Sequence, residues 1–330
     1  MTSPTDLSVR PWGSFGSQPV AGFVNYDPRG AATGRMYMGL PINAQYLYGS
    51  FRTLDGSHYH APIRHFHNDV SISLFLYTCE TGKDFEYVRQ SKEAHRGIVD
   101  TGEREGRWGN WRPEPDPRWE FTSDGKTARW MDRGFIEVTA EAVGQALQFA
   151  IPDADEPLVY TSQCFRNTGG TVLGKPVEGL WFHDYLHLAP GKGWSTGKYL
   201  LDLEVVWVAF ATEFDDGTLH HGHLIHGHDN FSLAVIWRSD GDPIVRKGIE
   251  VEIDLDADGF QNSVMFHLGG GETWEWEPLE GARMPRSPLE VGPHWREGVV
   301  KRRGETRRWK LADAWMETYR DHFDGAPGLR

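Results

Sequence analysis

Trp207-Val-Ala-Phe-Ala-Thr-Glu-Phe-Asp-Asp-Gly-Thr-Leu-His-His-Gly-His-Leu-Ile-His226 reads as two strand-like runs joined by an Asp-Asp-Gly turn. Aromatic and β-branched residues suit a pleated, half-buried surface, and Asp-Gly supplies the positive φ that a tight turn needs. The same grammar recurs downstream. Ser239-Asp-Gly241 and Asp256-Ala-Asp-Gly259 separate further short runs at 231–237, 249–254, 263–267 and 273–276, and 180–187 and 199–214 precede them. Upstream, 45–51, 70–77, 85–88, 128–131 and 135–139 have the same make-up. Successive hairpins of this length predict an all-β chain whose meanders close into barrels or sandwiches.

Working outward, a change of unit is expected at Asn167-Thr-Gly-Gly170. It divides the chain into a β domain over 1–168, opening with a surface arm over 1–34, and a second β domain over 169–330. The stretch 102–116, with Arg, Glu, Gly and Pro around Trp108 and Trp111, has no period and predicts a long loop. One helix is expected, over 309–323, where Leu311, Trp315, Met316, Tyr319 and Phe323 share a helical face.

Composition narrows the function. With 34 Lys and Arg against 47 Asp and Glu in 330 residues, the net charge of −13 argues against a nucleic-acid backbone or an anionic membrane as partner. No apolar run reaches the roughly 18 residues of a membrane span, and the first residues lack the layout of a signal peptide, so a cytoplasmic location is expected. Cys79 and Cys164 are too few for a disulfide framework or a cysteine-based zinc site. Aromatic content of 13% suggests an aromatic-lined interior.

Eleven of the 15 histidines fall in three stretches. His58-Tyr-His60 puts two imidazoles on one side of a strand, and His65-Phe-His67 repeats the spacing. This could begin a metal site, but the positions where a Glu ligand would follow hold Arg64 and His65, and a polar pocket lining accounts for the cluster better. In the 220–228 run, strict alternation sends His221 and His223 to one face and His226 to the other, with His228 at a turn. A single compact metal site is awkward there, and half of these side chains are expected to face solvent. Asp254-x-Asp256-x-Asp258-Gly259 opens like a calcium loop, yet its twelfth position is Met265 rather than Glu, so a polar turn is expected.

The sharpest segment is Glu178-Gly-Leu-Trp-Phe-His-Asp-Tyr-Leu-His187. As a strand it directs Trp181, His183, Tyr185 and His187 to one face and Phe182, Asp184 and Leu186 to the other. A carboxyl group among aromatics, such as Asp184 or Glu204, has its pKa raised and can serve as an acid. No nucleotide-binding glycine pattern, P-loop or nucleophile elbow is present in the sequence.

Gly179-(x3)-His183-Asp-Tyr, the break at Gly191-Lys-Gly193, the 207–217 strand and turn, His221-Gly-His-Leu-Ile and the turn at 240–241 resemble the second half of lipocalin-like proteins of the carotenoid hydratase and AttH type. That resemblance implies two consecutive lipocalin-like barrels and a cavity lined by polar and aromatic side chains. It also implies a hydratase, dehydratase, cyclase or other isomerase acting without a cofactor on an apolar, terpenoid- or steroid-like small molecule. Asp184 or His183 is then the expected acid, Tyr185 and His187 position water or a hydroxyl, and Trp181 and Trp207 stabilise a cation. His58, His60, His65, His67, His221 and His223 are expected to line the substrate pocket, with no metal. A metal-dependent enzyme built on the histidine clusters and a non-catalytic carrier of an apolar ligand remain the alternatives.

Overall fold

A computed structural model describes residues 19–68, 70–91, 95–96, 98–101, 105–109, 118–153, 155–193, 196–285 and 294–330. Most of the expected arm over 1–34 and most of the expected loop over 102–116 lie outside these residues.

The first sheet has fourteen strands. They are β1 (Val20–Val24), β2 (Ile42–Thr53), β3 (His58–Phe66), β4 (Val70–Glu80), β5 (Glu86–Ser91), β6 (His95–Arg96), β7 (Ile98–Thr101), β8 (Gly106–Gly109), β9 (Trp119–Ser123), β10 (Thr127–Asp132), β11 (Ile136–Ala142), β12 (Ala146–Ile151), β13 (Leu158–Val172) and β14 (Lys175–Leu188). The second sheet has nine: β15 (Glu204–Phe214), β16 (Leu219–Gly227), β17 (Leu233–Arg238), β18 (Ile244–Lys247), β19 (Glu250–Leu255), β20 (Gln261–Gly269), β21 (Glu272–Arg283), β22 (His294–Arg302) and β23 (Trp309–Thr318). The main path of the first runs β5-β4-β3-β2-β14-β13-β11-β10-β9-β8-β7, and the second runs β18-β17-β16-β15-β23-β22-β21-β20-β19.

Each sheet curls over its own core. In the first, Phe66 of β3 meets Trp119 and Phe121 of β9 at ring separations of 5.1 and 6.5 Å, although these strands lie far apart along the sheet. Arg64, paired with buried Asp132, lies over the Trp119 ring, so this buried guanidinium is met by a carboxylate and an indole. In the second, Trp274 of β21 reaches Phe210 of β15 at 5.8 Å and His220 of β16 at 5.7 Å. Burying aromatics of this size contributes on the order of 2–3 kcal/mol each. The outer faces of the two curled sheets then pack on one another. Leu180, Phe182 and Cys164 of the first sheet meet Ala211, Leu219 and Leu311 of the second, and Leu186, Leu188 and Tyr160 meet Trp207, Ile225 and Val235.

Three expectations are corrected. The first sheet continues to Leu188, so Asn167-Thr-Gly-Gly170 is not a boundary; it is the irregularity in the β13–β14 ladder between Arg166 and Thr171, and two glycines there mark a bulge. The chain passes to the second sheet through 189–203, which ends in a π-helical turn at Tyr199–Leu203. Residues 309–318 form β23 rather than a helix, hydrogen-bonded to β15 and β22. Burial on both faces removes the alternation that marks a strand, and Asp313 and Glu317, which a helix would turn to water, face the layer between the sheets instead. Finally, β1 and a short helix, α1 (Pro28–Ala32), replace part of the arm; Asp27 caps α1 by accepting from the Gly30 amide at 2.8 Å, and Pro28 suits its first turn.

Candidate active site between the two sheets

β14 is central to the first sheet, held by β13 on one side and β2 on the other. Its parity is as expected: Trp181 and Tyr185 enter the first core, whereas Phe182 and Leu186 enter the layer between the sheets. His183 and Asp184 are therefore neighbours in sequence on opposite faces. No single site contains both.

On the inner face, His183 is fully buried among Phe66, Trp108, Phe121, Tyr26 and Tyr185, whose rings lie 4.7–6.0 Å away. Its Nε2 donates to Gln45 Oε1 at 3.2 Å, which leaves Nδ1 to accept from the Tyr26 hydroxyl at 2.5 Å. Gln45 in turn donates to Asn68 Oδ1, which also accepts from Trp108 Nε1, while Asn68 Nδ2 donates to the Ala31 carbonyl. Burial pushes the imidazole down to about 3, so it is neutral and fully engaged. His187 lies further along this face, with Nε2 donating to the Arg35 carbonyl at 3.1 Å and the Tyr37 and Tyr185 rings each 5.9 Å away. His58 and His60 stack at 6.3 Å at the far end of β3, where His60 bonds to Thr78 and His58 to Ser57 and Lys175.

On the opposite face Asp184 accepts hydrogen bonds from Tyr48 at 2.7 Å and from Tyr160, both on the same oxygen, Oδ2. Burial pushes its carboxyl up to about 7, with the Ser162, Tyr160 and Tyr48 hydroxyls pulling it partway back. The Phe182 ring stacks on Tyr48 at 5.4 Å. From the second sheet, Trp207 of β15 and His223 of β16 close this group: Tyr160, Trp207 and His223 stand at mutual ring separations of 5.3–5.4 Å, and Phe182 lies 6.2 Å from His223. Three expected residues, Asp184, Trp207 and His223, thus converge here from two sheets. His221 lies one alternation along β16, stacked on Trp237 at 5.3 Å, and His65 stacks on Tyr46 of β2 at 4.5 Å with His67 5.5 Å beyond it. Trp181, His183, Tyr185, His187, His58 and His60 are elsewhere.

The expectation that half of the 220–228 histidines face solvent is corrected. His220, His221, His223 and His226 are all buried, because both faces of β16 are covered, one by the second core and one by the first sheet. Among the described residues, no three His, Cys, Asp or Glu side chains converge in a way that could hold a metal ion.

More acids line the same layer. Asp313 of β23 and Glu297 of β22 are fully buried and repel one another; burial pushes Glu297 up to about 8 and Asp313 above the carboxylate range, with Asp184 adding to the effect on Asp313. Glu204 and Glu317 form a second pair, with Glu317 pushed up to about 7 by burial. Sequence reasoning missed Tyr48, Tyr160, Asp313 and Glu297. Tyr46 and Tyr48 did carry a signal: alternate tyrosines sit opposite Leu47 and Phe51, an aromatic-polar face against an apolar one. The strand holding Tyr160 was not anticipated, and the helical reading of 309–323 hid Asp313.

No family model and no curated protein matches this chain. Solved structures do. A protein assigned as AttH from Nitrosomonas europaea is 13% identical, covering 86% of this chain and 94% of its own, with a TM-score of 0.49. Kievitone hydratase from Nectria haematococca is 10% identical over 90% and 95% of the two chains, with a TM-score of 0.46. CghA, in complex with Sch210972, is 12% identical over 83% and 88%, with a TM-score of 0.46. The chain is similar to these proteins over most of its length. Among the described residues no helix is long and apolar enough to cross a membrane.

Proposed function

We propose that this chain is an acid–base lyase or isomerase, of hydratase, dehydratase or cyclase type, that acts on an apolar, terpenoid- or steroid-like molecule between its two sheets. The observation that carries this reading is the setting of Asp184: a buried carboxyl group, raised to about 7, with two tyrosine hydroxyls on one oxygen and aromatic faces around it. At neutral pH a substantial fraction holds its proton, which suits a general acid.

The steps balance with the chain's own groups. Protonated Asp184 gives its proton to one carbon of an alkene, and the neighbouring carbon becomes cationic. The faces of Trp207, Tyr160 and Phe182 stabilise that cation in a site poor in water. Tyr48 and Tyr160 hold the new carboxylate through the hydrogen bonds they already make. Water then adds to the cation and returns a proton to Asp184. Run backwards, the same sequence dehydrates an alcohol; loss of a carbon-bound proton to Asp184 instead moves the double bond.

The test is incubation of the full chain with isoprenoid alkenes and tertiary allylic alcohols in ¹⁸O-labelled water, followed by mass spectrometry. Incorporation or loss of the label with wild type, reduced by about 10²–10⁴-fold in Asp184→Asn, supports the reading. Ligand that co-purifies and is recovered unchanged under every condition would make the chain a carrier.

A further inference from the structure

His223, with its neighbour His221 on the same face of β16, differs from the other buried histidines. His183 has Tyr26 and Gln45, His60 has Thr78, His187 has the Arg35 carbonyl, His220 has Asp240 and His226 has the Ile249 carbonyl. His221 shows no hydrogen bond at either ring nitrogen among the described residues, but it lies one alternation along β16, stacked on Trp237 with the Val143 backbone beside it. His223 is 0% exposed, and neither of its ring nitrogens has a hydrogen-bond partner among the described residues. A buried donor left unmet costs stability, and buried imidazoles are ordinarily satisfied, so this pair of nitrogens calls for a partner from outside the chain.

Its position is fixed by backbone packing. A Cβ on Gly222 would come within 2.3 Å of the Val235 carbonyl oxygen, so only glycine lets β16 approach β17 this closely. That contact sets the register in which His223 lies between Ala209 and Val235. The ring then stands edge-on to Tyr160 and Trp207 at the border of the aromatic layer. Tyr160 does not donate to it, because the Tyr160 hydroxyl hydrogen is given to Asp184.

Resting on the reading of this layer as the active site, we infer that His223 binds the ligand, and that the ligand carries a hydroxyl group on an apolar ring system. A neutral imidazole offers one donor and one acceptor, which a hydroxyl group meets with its own acceptor and donor. Anionic ligands are disfavoured. The groups acting on Asp184 are hydroxyls and those acting on Asp313 are carboxyls, so among the described residues acting on these two there is no cation to offset a second negative charge. A ligand with hydrogen in place of the hydroxyl leaves both ring nitrogens unmet, and a site built this way discriminates strongly against it.

Two probes of one shape test this: 2-naphthol and 2-methylnaphthalene, titrated calorimetrically into the full chain at pH 7. Wild type is expected to prefer 2-naphthol by at least tenfold. His223→Phe, which fills the space without nitrogens, is expected to erase that preference while binding 2-methylnaphthalene no less tightly; His223→Gln, which keeps a donor and an acceptor, retains part of it. In ¹⁵N-histidine-labelled protein, 2-naphthol should shift the His223 ring nitrogens. Equal affinity for the two probes in wild type, a preference that survives in His223→Phe, or no binding of 2-naphthol at millimolar concentration overturns the inference. Because binding rather than turnover is read, an Asp184→Asn protein that keeps full activity would defeat the proposed mechanism and leave the His223 result standing.

Discussion

His183 and Asp184 are consecutive residues of one strand, both without solvent, and burial moves each toward its neutral form, the imidazole down to about 3 and the carboxyl up to about 7. Their surroundings differ in one respect. On the inner face both ring nitrogens of His183 are met inside the chain, in a network through Tyr26, Gln45, Asn68 and Trp108, although the Trp119 and Trp181 indole N–H groups there have no partner among the described residues. On the Asp184 face, His223 has neither nitrogen met, and four further carboxyl groups share the layer. A closed hydrogen-bond chain rigidifies a core, whereas an open one is suited to receiving a ligand. Parity along β14 thus separates the structural face from the chemical one.

The strongest test of that contrast exchanges the two residues' fates. Asp184→Asn keeps shape but has no proton to give, so turnover in the labelled-water assay should fall by about 10²–10⁴-fold while the urea midpoint at pH 7 does not fall, because Asn escapes the ionisation that costs the wild type stability above about pH 4. His183→Ala should do the reverse. It opens a cavity among five aromatic rings and removes a partner from the Tyr26 hydroxyl and the Gln45 oxygen, at a cost of about 3–5 kcal/mol in urea unfolding. Turnover per folded molecule should stay within a few-fold. Loss of activity in a well-folded His183 variant would place chemistry on the wrong face.

A second test uses pH, because His183 and Asp184 contribute opposite slopes. The folded state holds His183 neutral, with its pKa below the unfolded value near 6.5, so the unfolded chain binds more protons and stability is lost as pH falls from about 6.5 toward 3. His65, His221 and His223, each pushed down to about 3 by burial, add to that acid limb. Asp184 acts the other way. With its folded pKa near 7 against about 3.9 unfolded, the folded state binds more protons, and stability is lost as pH rises from about 4 through 7. Glu317 and Glu297, raised to about 7 and about 8, have the same sign. Thermal melts from pH 4 to 9 should therefore show Asp184→Asn losing less stability than wild type between about pH 4 and 7, the two curves separating by on the order of 1.4 kcal/mol for each pH unit crossed in that window and running parallel above it. A uniform offset across pH would show that Asp184 is ionised in the folded protein at every pH.

How much of this was legible beforehand follows from the same contrast. The all-β architecture and the parity of 181–187 could be read because turns and alternation are local properties of the chain. The last strand could not, since Leu311, Trp315 and Met316 fit a helical stripe and only the ladders with β15 and β22 decide otherwise. Convergence of Asp184 with Trp207 and His223 was half legible: residue types marked all three as candidates, but their meeting depends on how two curled sheets stack. The completed hydrogen bonding of His183 was not legible for a related reason. A histidine among aromatics looks the same in sequence whether Gln45 and Tyr26 complete its hydrogen bonds or a ligand does.

The smallest expected effect concerns the hydroxyl groups on Asp184. Tyr48 and Tyr160 donate to the same oxygen and favour the ionised carboxyl, holding its pKa below what burial alone would give. Tyr48→Phe removes one of these bonds and leaves the ring stacked on Phe182. Stability should change by only about 1 kcal/mol, because the remaining acceptor still has Tyr160. The pH at which turnover falls on the alkaline side should nevertheless move upward, since Asp184 would then keep its proton to higher pH. An alkaline limb that moves downward, or stays in place while Asp184→Asn abolishes activity, would mean that the titrating acid is another of the buried carboxyl groups, with Asp313 the first to examine because it acts on Tyr48 and is itself raised by Asp184.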